Sequence, residues 1–132
     1  MDASKKCQHI KDLLLEQPID KSLVKKEVKE LVDFLNQDSW EDYELEEMGI
    51  PYIALMEKGL YEEALEVLFV LKENTTCFQN TPGVFFYIGK CYFLLGDYDK
   101  AENNFMTALH CDFDEDDSIY EYLREIEKKN KK

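Results

Sequence analysis

The chain has 132 residues, 45% of them hydrophobic and 13% aromatic, which suits one domain of ordinary size and excludes a disordered polymer. Its formal net charge of −13 would repel a phosphate backbone, so no nucleic-acid partner is expected and a basic one is permitted. No apolar run approaches the ~18 residues of a membrane span, and the short apolar cluster Leu13–Leu15 is flanked by charge rather than set in a signal peptide. A cytoplasmic protein with no membrane insertion is therefore expected.

Helical periodicity runs throughout. Ile10, Leu13 and Leu14 mark a first helix ending before Pro18, whose predecessor is pushed out of helical geometry. Asp20 or Ser22 caps a second, along which Val24, Val28, Leu31, Val32 and Leu35 form one apolar stripe. Together these make residues 1–37 a first helix pair. A third helix, capped by Asp38 or Ser39, begins at Trp40, carries Tyr43, Met48, Tyr52, Ile53, Leu55 and Met56, and ends at Gly59. Pro51 inside it predicts a kink or a break. The fourth, YEEALEVLFVLK from Tyr61 to Lys72, is apolar on most of its circumference and is expected to be buried on two sides.

Beyond an uncharged linker, Thr75–Thr81, lies the most patterned stretch of the chain, PGVFFYIGKCYFLLGDYDKAENNFMTALHCDF from Pro82 to Phe113. Phe85, Ile88, Gly89, Tyr92, Gly96, Tyr98, Ala101, Phe105 and Ala108 stand at ordered offsets within it. Two helices approach closely only where one lacks bulk, and Gly89 and Ala101 supply that gap, with Phe85, Tyr92, Phe105 and Leu109 around it. Gly96 closes the first of the two helices, and Asp97 or Asp99 caps the second. After Phe113 the acidic DEDDS suits the N-terminus of a last helix over 118–130, in which Ile119, Tyr122, Leu123 and Ile126 form the apolar stripe.

These offsets resemble the tetratricopeptide repeat, with Phe85 in place of the usual Trp, Ile88 for Leu and Phe113 for the closing Pro. A weaker copy spans residues 39–75: Gly59, Tyr61, Ala64, Leu68 and Leu71 repeat the spacing of Gly96, Tyr98, Ala101, Phe105 and Ala108 at an offset of 37 residues. The family's period is about 34, and the surplus matches the linker. The first half of this copy departs from the pattern, with Met48 at the aromatic position and Pro51-Tyr52 where Leu-Gly belongs. The resemblance implies an all-α, tetratricopeptide-like stack of about seven helices in antiparallel pairs, closed by a C-terminal capping helix over 118–130, in a single domain over 1–132.

The chemistry-bearing residues point away from catalysis. There is no Gly-rich phosphate loop, no H-E-x-x-H and no nucleophile elbow, so no enzyme and no cofactor are expected. Cys7, Cys77, Cys91 and Cys111 form no C-x-x-C pair, and the Cys7/His9 and His110/Cys111 spacings match no zinc framework. Asp112, Asp114 and Asp116 fail as a calcium loop, since Asp117 stands where Gly is required and Leu123 where the bidentate Glu belongs.

What the resemblance implies instead is binding. The first helix of each pair lines a concave face, and the residues not used within the pairs are Ile53, Met56 and Glu57 in the weak copy and Phe86, Lys90, Phe93 and Leu94 in the strong one. Ile53, Met56, Phe86, Lys90, Phe93 and Leu94 are thus the expected peptide-binding residues, either in an open apolar groove or in one filled by the first or last helix. Gly49, Ile53 and Phe86 stand where family members that clamp a terminal carboxylate carry Lys or Asn, so Lys90 alone implies no such ligand. Pro82, Phe86, Cys91, Gly96 and Asp97 are similar to the last repeat of the small bacterial chaperones that hold type III secretion translocators. The expected function is a protein or peptide partner held non-catalytically, with such a chaperone, or a homodimer assembled through the apolar face, as alternatives.

Overall fold

The computed structural model describes residues 2–38, 40, 42–74, 81–110 and 118–130. Over these the chain is all-α and neighbouring helices pair: α1 (Ala3–Leu14), α2 (Lys21–Leu35), α3 (Asp42–Met48), α4 (Tyr52–Glu57), α5 (Tyr61–Asn74), α6 (Thr81–Leu95), α7 (Tyr98–His110) and α8 (Ser118–Asn130). The chain divides into two compact units, Met1–Cys77 and Phe78–Lys132. The division falls in the uncharged segment between the two signature copies. Cys77, Cys111, Phe113 and the acidic run ahead of α8 lie outside the described residues, as does the linker apart from Thr81.

The first unit is built around α2 and α5. Asp2 caps α1 by accepting from Lys5 N at 3.2 Å, and Asp20, rather than Ser22, caps α2 by accepting from Leu23 N at 3.1 Å. Each cap satisfies one backbone donor that a helix start leaves free. Val24, Val28, Leu31 and Leu35 of α2 are fully buried with Ile10 and Leu14 of α1. Between the two helices the Lys6 ammonium bonds Glu27 and, at 2.7 Å, Glu30. α5 packs on both α2 and α4, which explains an apolar surface over most of its circumference: Ala64, Leu65, Val67, Leu68, Val70 and Leu71 are all buried.

Two expectations for this unit change. Trp40 does not open the third helix, which starts at Asp42. Its indole instead stands 5.6 Å from the Phe34 ring and donates to the Leu35 carbonyl at 2.8 Å, satisfying an acceptor at the end of α2 that has no helical partner. The expected third helix is two helices, α3 and α4. Gly49 takes a left-handed φ of +67° after Met48, and Pro51, which cannot donate to a continuing ladder, precedes α4.

The same turn closes the first helix of each signature copy. Gly59 N donates to Met56 O at 3.0 Å and Leu60 N to Leu55 O at 2.9 Å; Gly96 N donates to Phe93 O at 3.1 Å and Asp97 N to Tyr92 O at 2.9 Å. This is the paired-bond helix ending in which a residue at positive φ lets the next amide reach back five positions. The glycines stand at φ +77° and +86°. Leu60 and Asp97 then open the following helices, accepting from Ala64 N and Ala101 N at 3.0 Å in both cases. Asp97 adds a side-chain cap, accepting from Lys100 N at 3.3 Å, and Leu60 is buried instead.

The second unit places α6 against α7, with α8 packed on α7. The crossing falls where the small residues predicted it. A β-carbon at Gly89 would lie 2.8 Å from Phe105 Cδ1 and 3.2 Å from the Ala101 carbonyl, so glycine is what lets the two helices come together. Phe86, Ala101, Phe105, Ala108, Ile119 and Ile126 form the buried cluster of this unit.

Candidate functional site

Six residues were expected to line one apolar face, and the structure distributes them between the two units. Ile53 and Met56 lie on α4 in the first; Phe86, Lys90, Phe93 and Leu94 lie on α6 in the second.

α6 carries a single charge, Lys90, in fifteen residues, so it offers apolar surface in every direction. α7 takes the face bearing Gly89. A second face, expected either to be open or to be filled by the first or last helix, is met by Tyr122 of α8. The Tyr122 ring stacks on Phe105 at 5.2 Å and 10°, approaches Phe93 edge-on at 4.9 Å, and lies 6.4 Å from Phe86. Phe86 also meets Phe105 at 5.9 Å and is only 3% exposed. Phe86 is therefore a core residue, not a groove residue. Phe93 is half-buried between Tyr122 and Tyr98, whose ring centroid is 5.4 Å away. Met56 is likewise buried, at 8%. The offset rules describe packing within one pair and left both an open and a filled face possible; the last helix, 118–130, fills it at Phe86 and Phe93.

What stays exposed is the C-terminal end of α6. Leu94 is 44% exposed, and Leu95, which was not anticipated, is 45% exposed. A shallow hollow of about 450 Å³ adjoins them, lined by Leu95, Gly96, Asp97, Tyr98, Asp99 and Asn130. Lys129 extends over the Tyr98 ring at 5.2 Å, and Lys100 lies over Tyr92 at 5.5 Å and 3.6 Å from Asp97. The signal that could have found Leu95 is the comparison of copies. At the offset of 37, Leu94 and Leu95 correspond to Glu57 and Lys58, which precede the same glycine turn in α4 and are also exposed. In the first unit Ile53 is exposed on α4, at 45%.

The arrangement offers surface rather than reactive groups. Burial pushes the Cys91 thiol on α6 up to about 12 and the Cys7 thiol on α1 to about 11, so neither is a thiolate near neutrality. Cys7 is fully buried and His9, two residues on along the helix, is exposed, so the two do not converge. Among the described residues no group of three or more His, Cys, Asp or Glu could hold a metal ion, and no helix is long and apolar enough to cross a membrane. Comparison with known proteins returns no matching family model, no matching curated protein and no matching solved structure.

Proposed function

We propose that the chain is a non-catalytic protein-binding module of the tetratricopeptide kind, acting in the cytoplasm, which holds a peptide or partner segment through the exposed apolar end of α6. The observation that carries this reading is the contrast between Leu94-Leu95 and Glu57-Lys58. Both pairs end a helix, both lead into the same two-bond glycine turn, and both face solvent. Glu57 and Lys58 demonstrate that the turn itself accepts charge at these positions, so folding does not account for two leucines there. Exposed apolar surface of this sort marks interaction sites. Free, buried Cys7 and Cys91 suit a reducing compartment.

The test transplants one copy into the other. Leu94→Glu with Leu95→Lys reproduces the pair that α4 already carries and should leave the melting temperature within about 2 °C of the parent, the scale of an exposed substitution. Proteins captured by the parent chain and identified by mass spectrometry should be lost from the variant, with affinity falling about thirtyfold or more if the leucines act as a hot spot. Retention of the same proteins at the same affinity by a folded variant would remove the reading. Loss of a concentration-dependent dimer instead would identify the partner as a second copy.

A further inference from the structure

The first unit carries an open hollow of about 500 Å³. It is lined by the rings of Phe34 on α2 and Trp40, by Glu44, Glu47 and Met48 of α3, and by the start of α1 at Asp2. The two rings stand 5.6 Å apart and are inclined at 41°, a corner rather than a flush stack, and both are half-buried. The Trp40 N–H donates to the Leu35 carbonyl at 2.8 Å, which holds the indole in place. Glu44 and Glu47, three residues apart, share one face of α3. Among the described residues that line the hollow, none is basic.

This lining restricts what the hollow can hold. An anion would face three carboxylates. The start of α1 offsets them little, because a helix N-terminus carries about half a positive charge and Asp2 already caps it through Oδ1. A metal ion needs ligands that converge, and among the described residues no three acidic, histidine or cysteine side chains do so. An apolar ligand would cover carboxylates without offering them a hydrogen bond. An organic cation suits both parts of the lining, with its charge over the ring faces and its N–H groups toward the carboxylates. A fully methylated ammonium has no N–H to give. A guanidinium is flat, stacks on aromatic rings and presents a fork of donors at its edge.

We propose that this hollow binds the guanidinium of an arginine side chain carried by a partner protein, stacked in the Phe34–Trp40 corner with its N–H edge toward Glu44 and Glu47. The proposal does not depend on the reading of the α6 end. A free small molecule is normally enclosed over most of its surface, whereas an open hollow takes the tip of a side chain whose backbone stays outside. The indole is already fixed by its bond to Leu35, so little ordering is left to be done on binding. The formal net charge of −13 draws a basic partner toward the chain.

Trp40 is the only tryptophan of the chain, so its fluorescence reports on this hollow. Titrating the full chain with the blocked tripeptide acetyl-Gly-Arg-Gly-amide should change that emission to saturation, with a midpoint on the order of millimolar. The corresponding citrulline peptide keeps the shape and loses the charge, and should bind at least about fivefold more weakly. The lysine peptide, without the planar fork, should also bind more weakly. Glu47→Gln is an exposed substitution that keeps Trp40, and should weaken the arginine peptide about threefold at low salt. Free L-arginine, whose own carboxylate meets the acidic lining, should bind less well than the tripeptide. No saturation by fluorescence and by calorimetry, equal binding of the three peptides, or an unchanged midpoint in a folded Glu47→Gln chain overturns the proposal. Tighter binding of the free amino acid overturns the partner-borne source. Leu94→Glu/Leu95→Lys should leave the titration unaltered, and loss of binding in that chain would place the peptide elsewhere than at Trp40.

Discussion

Gly83 and Gly89 lie six residues apart on α6, and replacing each with alanine should have opposite effects. In a helix interior, glycine is worth about 1 kcal/mol less than alanine because it loses more backbone freedom on folding. That gain applies at both positions, somewhat reduced at Gly83 in the first turn. The surroundings differ. A β-carbon at Gly83 meets nothing within 4 Å, and one at Gly89 lies 2.8 and 2.9 Å from two Phe105 ring atoms and 3.2 Å from the Ala101 carbonyl. The ring has nowhere to go: it is fully buried with Phe86 on one side and Tyr122 stacked on it. Overpacking of this type costs about 1–3 kcal/mol. Gly83→Ala should therefore stabilise the chain by a few tenths to about 1 kcal/mol. Gly89→Ala should destabilise it by up to about 2 kcal/mol once the helical gain is subtracted, and Gly89→Leu should do so by more. Urea denaturation followed by circular dichroism reads both. The difference between the two alanine variants, about 1–3 kcal/mol, isolates the steric contribution because propensity largely cancels. In a double-mutant cycle, Phe105→Leu should cost less in the Gly89→Ala background than in the parent, since it removes the clashing atoms. If both alanine variants stabilise the chain equally, the helices do not cross at Gly89 and the packing described for this unit is wrong.

Phe93→Ala should lower stability by about 1–3 kcal/mol in the same melts, below the 3–5 of a fully buried ring, because Phe93 is half-buried against Tyr98 and Tyr122; an unchanged midpoint would return it to an open groove. Lys6→Met should cost about 1–3 kcal/mol at pH 7 by leaving buried Glu27 without its ammonium. Its pH dependence has a definite sign. Hydrogen bonding to Lys6 lowers the Glu30 pKa, so that contribution is present above the ordinary value of 4.5 and disappears as the pH falls through the folded value. Lys6→Met should consequently lose less stability than the parent on acidification below about 4.5, and a parallel acid limb would refute the pairing. Cys7 and Cys91 should resist a thiol reagent at pH 8 until the chain unfolds, since thiols raised to about 11 and 12 by burial are almost wholly protonated there; rapid labelling of either, read by peptide mass spectrometry, would place it at the surface.

Local grammar was legible in the sequence, and arrivals from elsewhere in the chain were not. The glycine turns at Gly59 and Gly96, the Asp20 and Asp97 caps, the Gly89–Ala101 crossing and the two-sided burial of α5 all depend on residues within one or two turns or on a pattern repeated at fixed spacing. Pro51 announced a disturbance, and with Gly49 it produced a break between α3 and α4. Trp40 was misread because an aromatic after a polar cap also suits a helix start; its role depends on a carbonyl five residues back that only the folded chain leaves free. Lys6 and Glu27 are 21 residues apart, a distance at which charge alternation on a helix cannot be told from a solvated face. Phe86 was assigned to a groove because the pair leaves it unused, and Tyr122 takes it up from 36 residues downstream.

The weak copy departs from the strong one at the very position that organises the strong one. Ala64, like Ala101, is fully buried at the start of the second helix of its pair, so the space for a close crossing is present in both. Opposite it, at the offset of 37, Tyr52 replaces Gly89. A tyrosine in the middle of a long helix could not occupy a site where a single β-carbon already comes within 3 Å of its neighbours. In the first unit it does not have to: Pro51 and left-handed Gly49 end the preceding helix, so Tyr52 is the first residue of the six-residue α4, and its side chain is half-buried. The break and the tyrosine thus answer one another. The full-length α6 ends in exposed Leu94 and Leu95, whereas the short α4 exposes Ile53 and ends in the charged pair Glu57 and Lys58.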